Sequence, residues 1–336
     1  MKVALVGFGT AGEARVAAYR SVPTASVTAV VDPSPLRRAR ARALLPGVTT
    51  YTHLNALLDR GAVDVVDICA PPVHHAPYAA LALTSGHHVI CEKPVAFLDE
   101  EARGLAELSR QHGRLFYPAH NYHFSPMMAE LTAGMSGDRD GAPMDLTIEI
   151  LRPRHAAGVT AWQADWRTDA ALAGGGILLD HGSHCIYMAT RLFGGTPDKV
   201  SCRMQLDPGA PAGAGVDLAT ELEMTFPAGV CRVHLSWIST VRSNRYTLYT
   251  ATRATDIHDD VVTVDGPAGR TRRALRSPTE SSTHEEWFAA MFADFTEVLA
   301  DRAEWERPLG EAVSTVRVTE AAYASARHDG LPRSLR

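Results

Sequence analysis

The chain has 336 residues, with 33 Lys and Arg against 38 Asp and Glu, for a formal net charge of −5. So mild a charge leaves no electrostatic footprint for a nucleic acid or a membrane surface, and no apolar stretch reaches the roughly 18 residues of a membrane span. Five scattered cysteines, Cys69, Cys91, Cys185, Cys202 and Cys231, include no CxxC pair, which argues against a disulfide framework or a zinc knuckle. The first residues read directly as a strand rather than as a signal peptide, so a reducing cytoplasm is the expected setting.

Lys2 to Val6 is a short apolar run of the kind that forms a buried parallel strand. Gly7-Phe8-Gly9-Thr10-Ala11-Gly12 follows at once, and a helix is expected over Glu13 to Arg20. This is GxGxxG in the strand-to-helix context that gives it meaning. Gly7 allows the tight turn, Gly9 lets a pyrophosphate approach the backbone, and Gly12 lets helix and strand pack closely. Ser26 to Val31 is a second strand, and Asp32 ends it. A carboxylate there can bind ribose hydroxyls and would repel a 2′-phosphate, which favours NAD over NADP. Arg37 and Arg38 could reach such a phosphate; the preferred reading makes them solvated residues of the next helix.

The alternation continues through a strand at Asp64–Cys69, a helix at Ala76–Ser85 and a strand at His88–Cys91. A helix over Asp99–His112 follows, with Asp99 as its expected N-cap and Gly113 as its end, then a strand at Leu115–Tyr117. Strands and helices alternating at this spacing predict a parallel, doubly wound sheet, with ligands beyond the carboxyl ends of its strands. Pro71, His75, Lys93 and Asn121 fall at or just after such ends. Lys93 stands out in composition as well. Only Lys2, Lys93 and Lys199 are lysines, and the other basic residues are arginines. An arginine keeps its proton in a protein, whereas a desolvated lysine can release it, so a lysine at a strand end is a candidate for chemistry.

After about residue 124 the pattern changes. Apolar and polar residues alternate over 217–226 and again over 231–237, around a turn at Pro227-Ala228-Gly229. Similar runs lie near Asp145–Leu151, Lys199–Leu206, Tyr246–Thr252 and Val261–Val264. A mostly antiparallel sheet of about six strands is expected, covered by helices near Ser183–Phe193, His284–Ala300 and Gly310–Arg327. Two stretches, 207–215 and 266–283, read as loops, the second rich in arginine (Arg270, Arg272, Arg273, Arg276). The expected domains are 1–122 and 123–336, with the last helix, about 310–327, able to pack back on the first.

Gly174-Gly175-Gly176-Ile177-Leu178-Leu179-Asp180-His181-Gly182-Ser183-His184 is the second dense signal. Three glycines imply backbone forced close to something. On a helix, Asp180 and His184 share a face, where the carboxylate can orient the imidazole as a proton-transfer residue requires. His181 points to another face and competes with His184. A metal at Asp180, His181 and His184 lacks further ligands at convincing spacing, so none is expected. No GxSxG elbow supports a serine hydrolase.

Taken together, these segments resemble the glucose–fructose oxidoreductase, inositol dehydrogenase and rhizopine catabolism (Gfo/Idh/MocA) family. The matching runs are residues 6–12, Ala70-Pro71-Pro72-Val73-His74-His75, Gly86 to Pro94, Asn121-Tyr122-His123-Phe124-Ser125-Pro126, and Trp166-Arg167 with the glycine and Asp180–His184 motif. Ala70, Pro72 and His123 depart from the family pattern. The resemblance implies a Rossmann domain, a C-terminal α/β domain with a large open sheet, and often a cis bond before Pro94. It implies NAD(P)-dependent interconversion of a hydroxyl and a ketone on a sugar, cyclitol or aminocyclitol, with Lys93, Asp180 and His184 as catalytic group. Implied cofactor contacts come from Gly7, Phe8, Gly9, Thr10, Ala11, Gly12 and Asp32, then Ala70, Pro71 and His75, then Glu92, Lys93, Asn121, Trp166 and Arg167. Substrate contacts are expected from Lys93, Tyr122, Trp162, Asp180 and His184. A homodimer or homotetramer through the C-terminal sheet is expected, its polar face meeting either another subunit or solvent. Three alternatives share the fold: a glycosidase that regenerates its NAD, a ligand sensor without activity, and a biliverdin-reductase-like enzyme. Polar residues near the expected pocket, Arg152, His155, Trp162 and Arg242, favour a polyol substrate.

Overall fold

The computed structural model describes residues 1–60, 63–135, 142–160, 162–210, 215–275 and 284–336. The chain begins β1 (Lys2–Val6), α1 (Thr10–Arg20), β2 (Ser26–Val31), α2 (Pro35–Leu44), β3 (Thr49–Tyr51) and α3 (Leu54–Leu58). It continues β4 (Val65–Ile68), α4 (His75–Thr84), β5 (His88–Cys91), α5 (Asp99–His112), β6 (Phe116–Pro118), α6 (Pro126–Met135), β7 (Asp145–Leu151), α7 (Ala170–Ala173) and α8 (Ser183–Leu192). Then come β8 (Lys199–Leu206), β9 (Asp217–Phe226), β10 (Gly229–Ser236), β11 (Ser243–Tyr249), β12 (Ala254–His258), β13 (Val261–Gly266) and β14 (Gly269–Ala274). The last elements are α9 (Glu285–Ala300), α10 (Glu306–Ala326) and β15 (Arg333–Ser334).

Two compact units interleave along the chain. One comprises residues 1–121, 157–174 and 283–316; the other comprises 122–156, 175–282 and 317–336. This replaces a single cut near residue 122 with a discontinuous division.

The first unit holds six parallel strands in the order β3-β2-β1-β4-β5-β6. The order reverses between β1 and β4, and a crevice opens at such a reversal. Val6 is in register with Val31 on one side and Ile68 on the other, so the loops starting at Gly7, Asp32 and Cys69 leave one sheet edge together. From Val3 onward β1 is buried on both faces, and so is all of β4, as their mostly apolar runs demand, with Asp67 the polar exception. Helix α9, expected over the second sheet, belongs here instead. Its buried Trp287, Phe288, Met291, Phe292 and Phe295 form one stripe. That stripe meets α1: the Phe292 ring lies 3.9 Å from that of Tyr19, and the Arg15 guanidinium 4.0 Å above Phe288. Leu309, Ala312 and Val316 of α10 complete the core. Asp99 proves to be the first residue of α5 rather than its cap. Leu98 holds that place, and the Glu101 carboxylate accepts from Phe97 N (3.0 Å) and Leu98 N (3.1 Å).

The second unit holds a nine-stranded sheet in the order β14-β13-β12-β11-β7-β10-β9-β8-β15. Neighbours are antiparallel except β7 and β10, which run parallel. In β9, Leu222, Met224 and Phe226 are buried while Glu221 and Glu223 are exposed, which is the alternation the sequence shows. The expected loop over 266–283 is partly a hairpin, since β13 pairs with β14. All six residues of β14 are exposed, Arg270, Arg272 and Arg273 among them, as suits an edge strand guarded by charge. Arg276 and the centre of the 207–215 loop lie outside the described residues. Among the described residues no helix is long and apolar enough to cross a membrane.

Candidate active site

In the first unit the strand ends form a cleft with about 920 Å³ of empty space, part of it open solvent. Gly7, Gly9, Thr10 and Ala11 line it after β1, Asp32 and Arg37 after β2, and Ala70, Pro71 and His74 after β4. Trp162, Trp166 and Arg167 complete the wall, the Arg167 guanidinium lying 4.3 Å over the Trp166 ring.

The three loop glycines have different reasons. Gly7 has φ of +90°, and a Cβ there would sit 2.7 Å from Ala70 N. A Cβ on Gly12 would sit 2.4 Å from Gly7 O. Protein packing explains both. A Cβ on Gly9 would meet nothing within 4 Å, so packing does not explain that one. Gly9 is also the N-cap of α1 and supplies no side chain to its free amides. Open space in front of a bare helix start suits an anion, and a dinucleotide pyrophosphate fits it.

Asp32 is only 7% exposed, and both its oxygens are engaged: Oδ2 accepts from Phe8 N and Oδ1 from Ser34 N, each at 2.8 Å. The carboxylate is thereby fixed at the end of the cleft where a ribose would lie. Arg38 donates to the Asp32 and Pro33 carbonyls. Arg37 is buried, not solvated. Its Nε donates to Phe8 O at 2.5 Å, and its guanidinium pairs with Glu13.

Beneath the cleft Arg15 is fully buried and pairs with Asp67 (3.1 Å) and Glu92 (2.9 Å). Glu92 also accepts from Lys93 N at 3.2 Å, and the Lys93–Pro94 bond is cis. The His75 ring lies between two carbonyls, Nδ1 2.7 Å from Pro94 O and Nε2 2.7 Å from Ala70 O. It ties the loop after β4 to the loop carrying Lys93, and burial pushes its pKa down.

In the second unit Leu178–Gly182 is a π-helical turn that runs into α8. Asp180 Oδ2 lies 3.4 Å from His181 Nδ1. The His184 ring stacks on Tyr122 at 3.9 Å and 21°. Burial pushes the Tyr122 hydroxyl up to about 12. The glycines before this turn are forced by packing. A Cβ on Gly175 would sit 2.1 Å from the Tyr323 hydroxyl, and one on Gly176 1.9 Å from Asp217 O. Gly174, in the first unit, meets Phe97 in the same way. Asp217, 1% exposed, accepts from Gly176 N, Leu178 N and the Tyr323 hydroxyl, each at 2.7 Å, and from the Thr220 hydroxyl at 3.1 Å. It therefore anchors the segment that leads into the Asp180–His184 motif.

The sequence model described as the oxidoreductase family with NAD-binding Rossmann fold, Gfo/Idh/MocA, matches residues 1–120, and that of the Gfo/Idh/MocA C-terminal domain matches 136–254. The chain belongs to the Gfo/Idh/MocA family. D-glucoside 3-dehydrogenase of Escherichia coli is 28% identical over 199 residues, covering 58% of this chain and 54% of that protein. The dTDP-3,4-didehydro-2,6-dideoxy-α-D-glucose 3-reductase of Streptomyces violaceoruber is 32% identical over 197 residues, covering 55% and 54%. The chain thus matches about half the length of these curated relatives. Levoglucosan dehydrogenase solved with NADH and levoglucosan superposes with a TM-score of 0.84 at 19% identity, over 100% of this chain and 99% of that one. NAD is the cofactor of this Gfo/Idh/MocA fold, and the glycine loop and Asp32 fit it.

The remaining expected residues sort by unit. Of the implied cofactor contacts, all from Gly7 to Asn121 and Trp166 with Arg167 lie in the first unit. Trp162, expected at the substrate, lines the nucleotide cleft, while Tyr122, Asp180 and His184 lie in the second unit. Arg152 is spent on Leu151 O, Ser243 O and Asn244 Oδ1. Among the described residues no group of three His, Cys, Asp or Glu is placed to hold a metal ion. Sequence reasoning missed Glu13, Arg15, Asp67 and Asp217. Asp67 left a signal, because a carboxylate inside the apolar run Val65–Ile68 needs a buried cation.

Proposed function

We propose that this chain is an NAD-dependent dehydrogenase that interconverts a hydroxyl and a ketone at carbon 3 of a pyranose sugar. The observation that carries the reading is the first-unit cleft, with open space at Gly9 and a doubly held carboxylate at Asp32. Two relatives, by name a glucoside 3-dehydrogenase and a hexose 3-reductase, support the sugar class and the carbon. Bound NAD supplies a hydride acceptor. Lys93 donates a hydrogen bond to the reacting oxygen and stabilises the negative charge that develops there. His184, backed by the Tyr122 ring, takes the hydroxyl proton, and Asp180 offsets the positive charge the motif then gains.

The test is NADH formation against a panel of glucosides, other pyranoses and cyclitols, with the product ketone located by NMR. Glucosides are expected to give the 3-ketone. Lys93→Met and His184→Ala are each expected to lower kcat by about 10²–10⁴-fold while NAD affinity stays near wild type. Near wild-type turnover in both variants ends the reading. The Asp180–His181 contact makes His181→Ala the informative control, since a loss there with His184→Ala unaffected moves the base to His181.

A further inference from the structure

Cations beside the adenosine end of a nucleotide cleft are what read a 2′-phosphate, and this chain carries Arg37, Arg38 and Arg40 among the arginines of the helix beyond β2. Arg38 is occupied by the carbonyls of Asp32 and Pro33, at 2.7 and 2.8 Å. Arg37 lines the cleft itself. It does not face the cleft as an open charge, because Glu13, in the first turn of α1, pairs with it. The second oxygen of Glu13 takes Arg40 through Nε at 3.2 Å and Nη2 at 3.1 Å. One carboxylate thus pairs with two guanidiniums. The same group is linked to Asp32 by a short chain of contacts. Glu13 holds Arg37, Arg37 Nε holds Phe8 O, and Phe8 N holds Asp32 Oδ2.

We propose that Glu13 is a second determinant of nucleotide choice, acting with Asp32 to exclude NADP by keeping Arg37 paired. The inference rests on NAD occupying the first-unit cleft. A 2′-phosphate entering beside Asp32 would need Arg37 as its counter-charge. Arg37 can turn to it only by leaving Glu13, whose carboxylate, left with Arg40 alone, would then stand near a dianion. NAD, with a neutral ribose there, asks nothing of Arg37 and leaves the pair intact. Selectivity therefore has two layers, repulsion by Asp32 and denial of Arg37, a cation that lines the cleft.

The experiment is calorimetric titration of the free protein with NAD+ and with NADP+, without sugar. Glu13→Gln keeps the side chain's size and an acceptor oxygen but removes the charge. It is expected to tighten NADP+ binding about tenfold and to change NAD+ binding far less, as freeing one charged hydrogen-bond donor implies. Arg37→Gln added to Glu13→Gln is expected to erase the gain. Glu13→Ala, checked for folding by its thermal melt, gives an independent route to the freed arginine and the same expected shift. An unchanged ratio of the two dissociation constants in both Glu13 variants overturns the proposal, as does a gain that survives the loss of Arg37. Wild-type protein that binds neither nucleotide overturns the cofactor reading, and this inference falls with it.

Discussion

The molecule has two glycine clusters, and they look alike on paper. Gly7, Gly9 and Gly12 open the chain's first helix; Gly174, Gly175 and Gly176 precede the π-helical turn. Both signal backbone that must come close to something. In the later cluster every added Cβ would strike protein, whether the Phe97 ring, the Tyr323 hydroxyl or the Asp217 backbone. In the earlier cluster Gly9 alone would strike nothing. One run is therefore written partly for a ligand and the other wholly for packing. A glycine that packing does not account for says more about binding than a denser cluster that it does.

The sharpest way to break this contrast is Gly176→Ala. Its Cβ would sit 1.9 Å from a backbone oxygen, which no rotamer change can relieve. A loss of about 3 kcal/mol or more in urea unfolding is expected. A variant as stable as wild type would show that the packing account is wrong. Gly9→Ala is the converse test. It should leave unfolding within about 1 kcal/mol, since its Cβ meets open space, and weaken NAD+ binding about tenfold in calorimetry. Stability lost without affinity lost would reverse the assignment of the two clusters.

The smallest expected effect concerns the sheet under the first cluster. His88 Nδ1 accepts from Leu115 N at 2.9 Å, a bond only the neutral ring can make. Burial first, with the nearby Arg114 charge, pushes its pKa down to about 4 from 6.5. Between those values the unfolded chain takes up a proton that the folded chain refuses. Stability is therefore expected to fall as pH drops from about 6.5 toward 4. The melting temperature should decline over that window, and His88→Asn should flatten the slope. An equal slope in the variant would place the acid sensitivity elsewhere in the first unit.

The sequence disclosed what neighbouring residues build together. β1, the glycine loop and Asp32 lie within one short supersecondary unit, and each leaves a local pattern. The cis Lys93–Pro94 bond came from the family resemblance and is present. What stayed hidden depends on partners far along the chain. The stripe on α9 predicts a helix but not that α1 is its partner, because either sheet could have accepted those aromatics. β3, three residues of Thr-Thr-Tyr, has no apolar run to mark it. β14 reads as a solvated loop because its arginines face water on both sides of an edge. Asp217 sits where the alternation of β9 places an ordinary polar residue, and nothing local tells that four donors converge on it. Glu13 looks like a helix-start acid, and only the fold brings Arg37 and Arg40 to it.

The Arg15 guanidinium carries a consequence for biosynthesis. Its carboxylate partners, Asp67 and Glu92, are made soon after it, but the aromatic ring above it belongs to Phe288. Almost 200 residues separate Glu92 from that ring, so the pair is made long before its lid. During synthesis the Arg15 ion pair thus waits for a distant segment to cover it, and the folded chain keeps it dry.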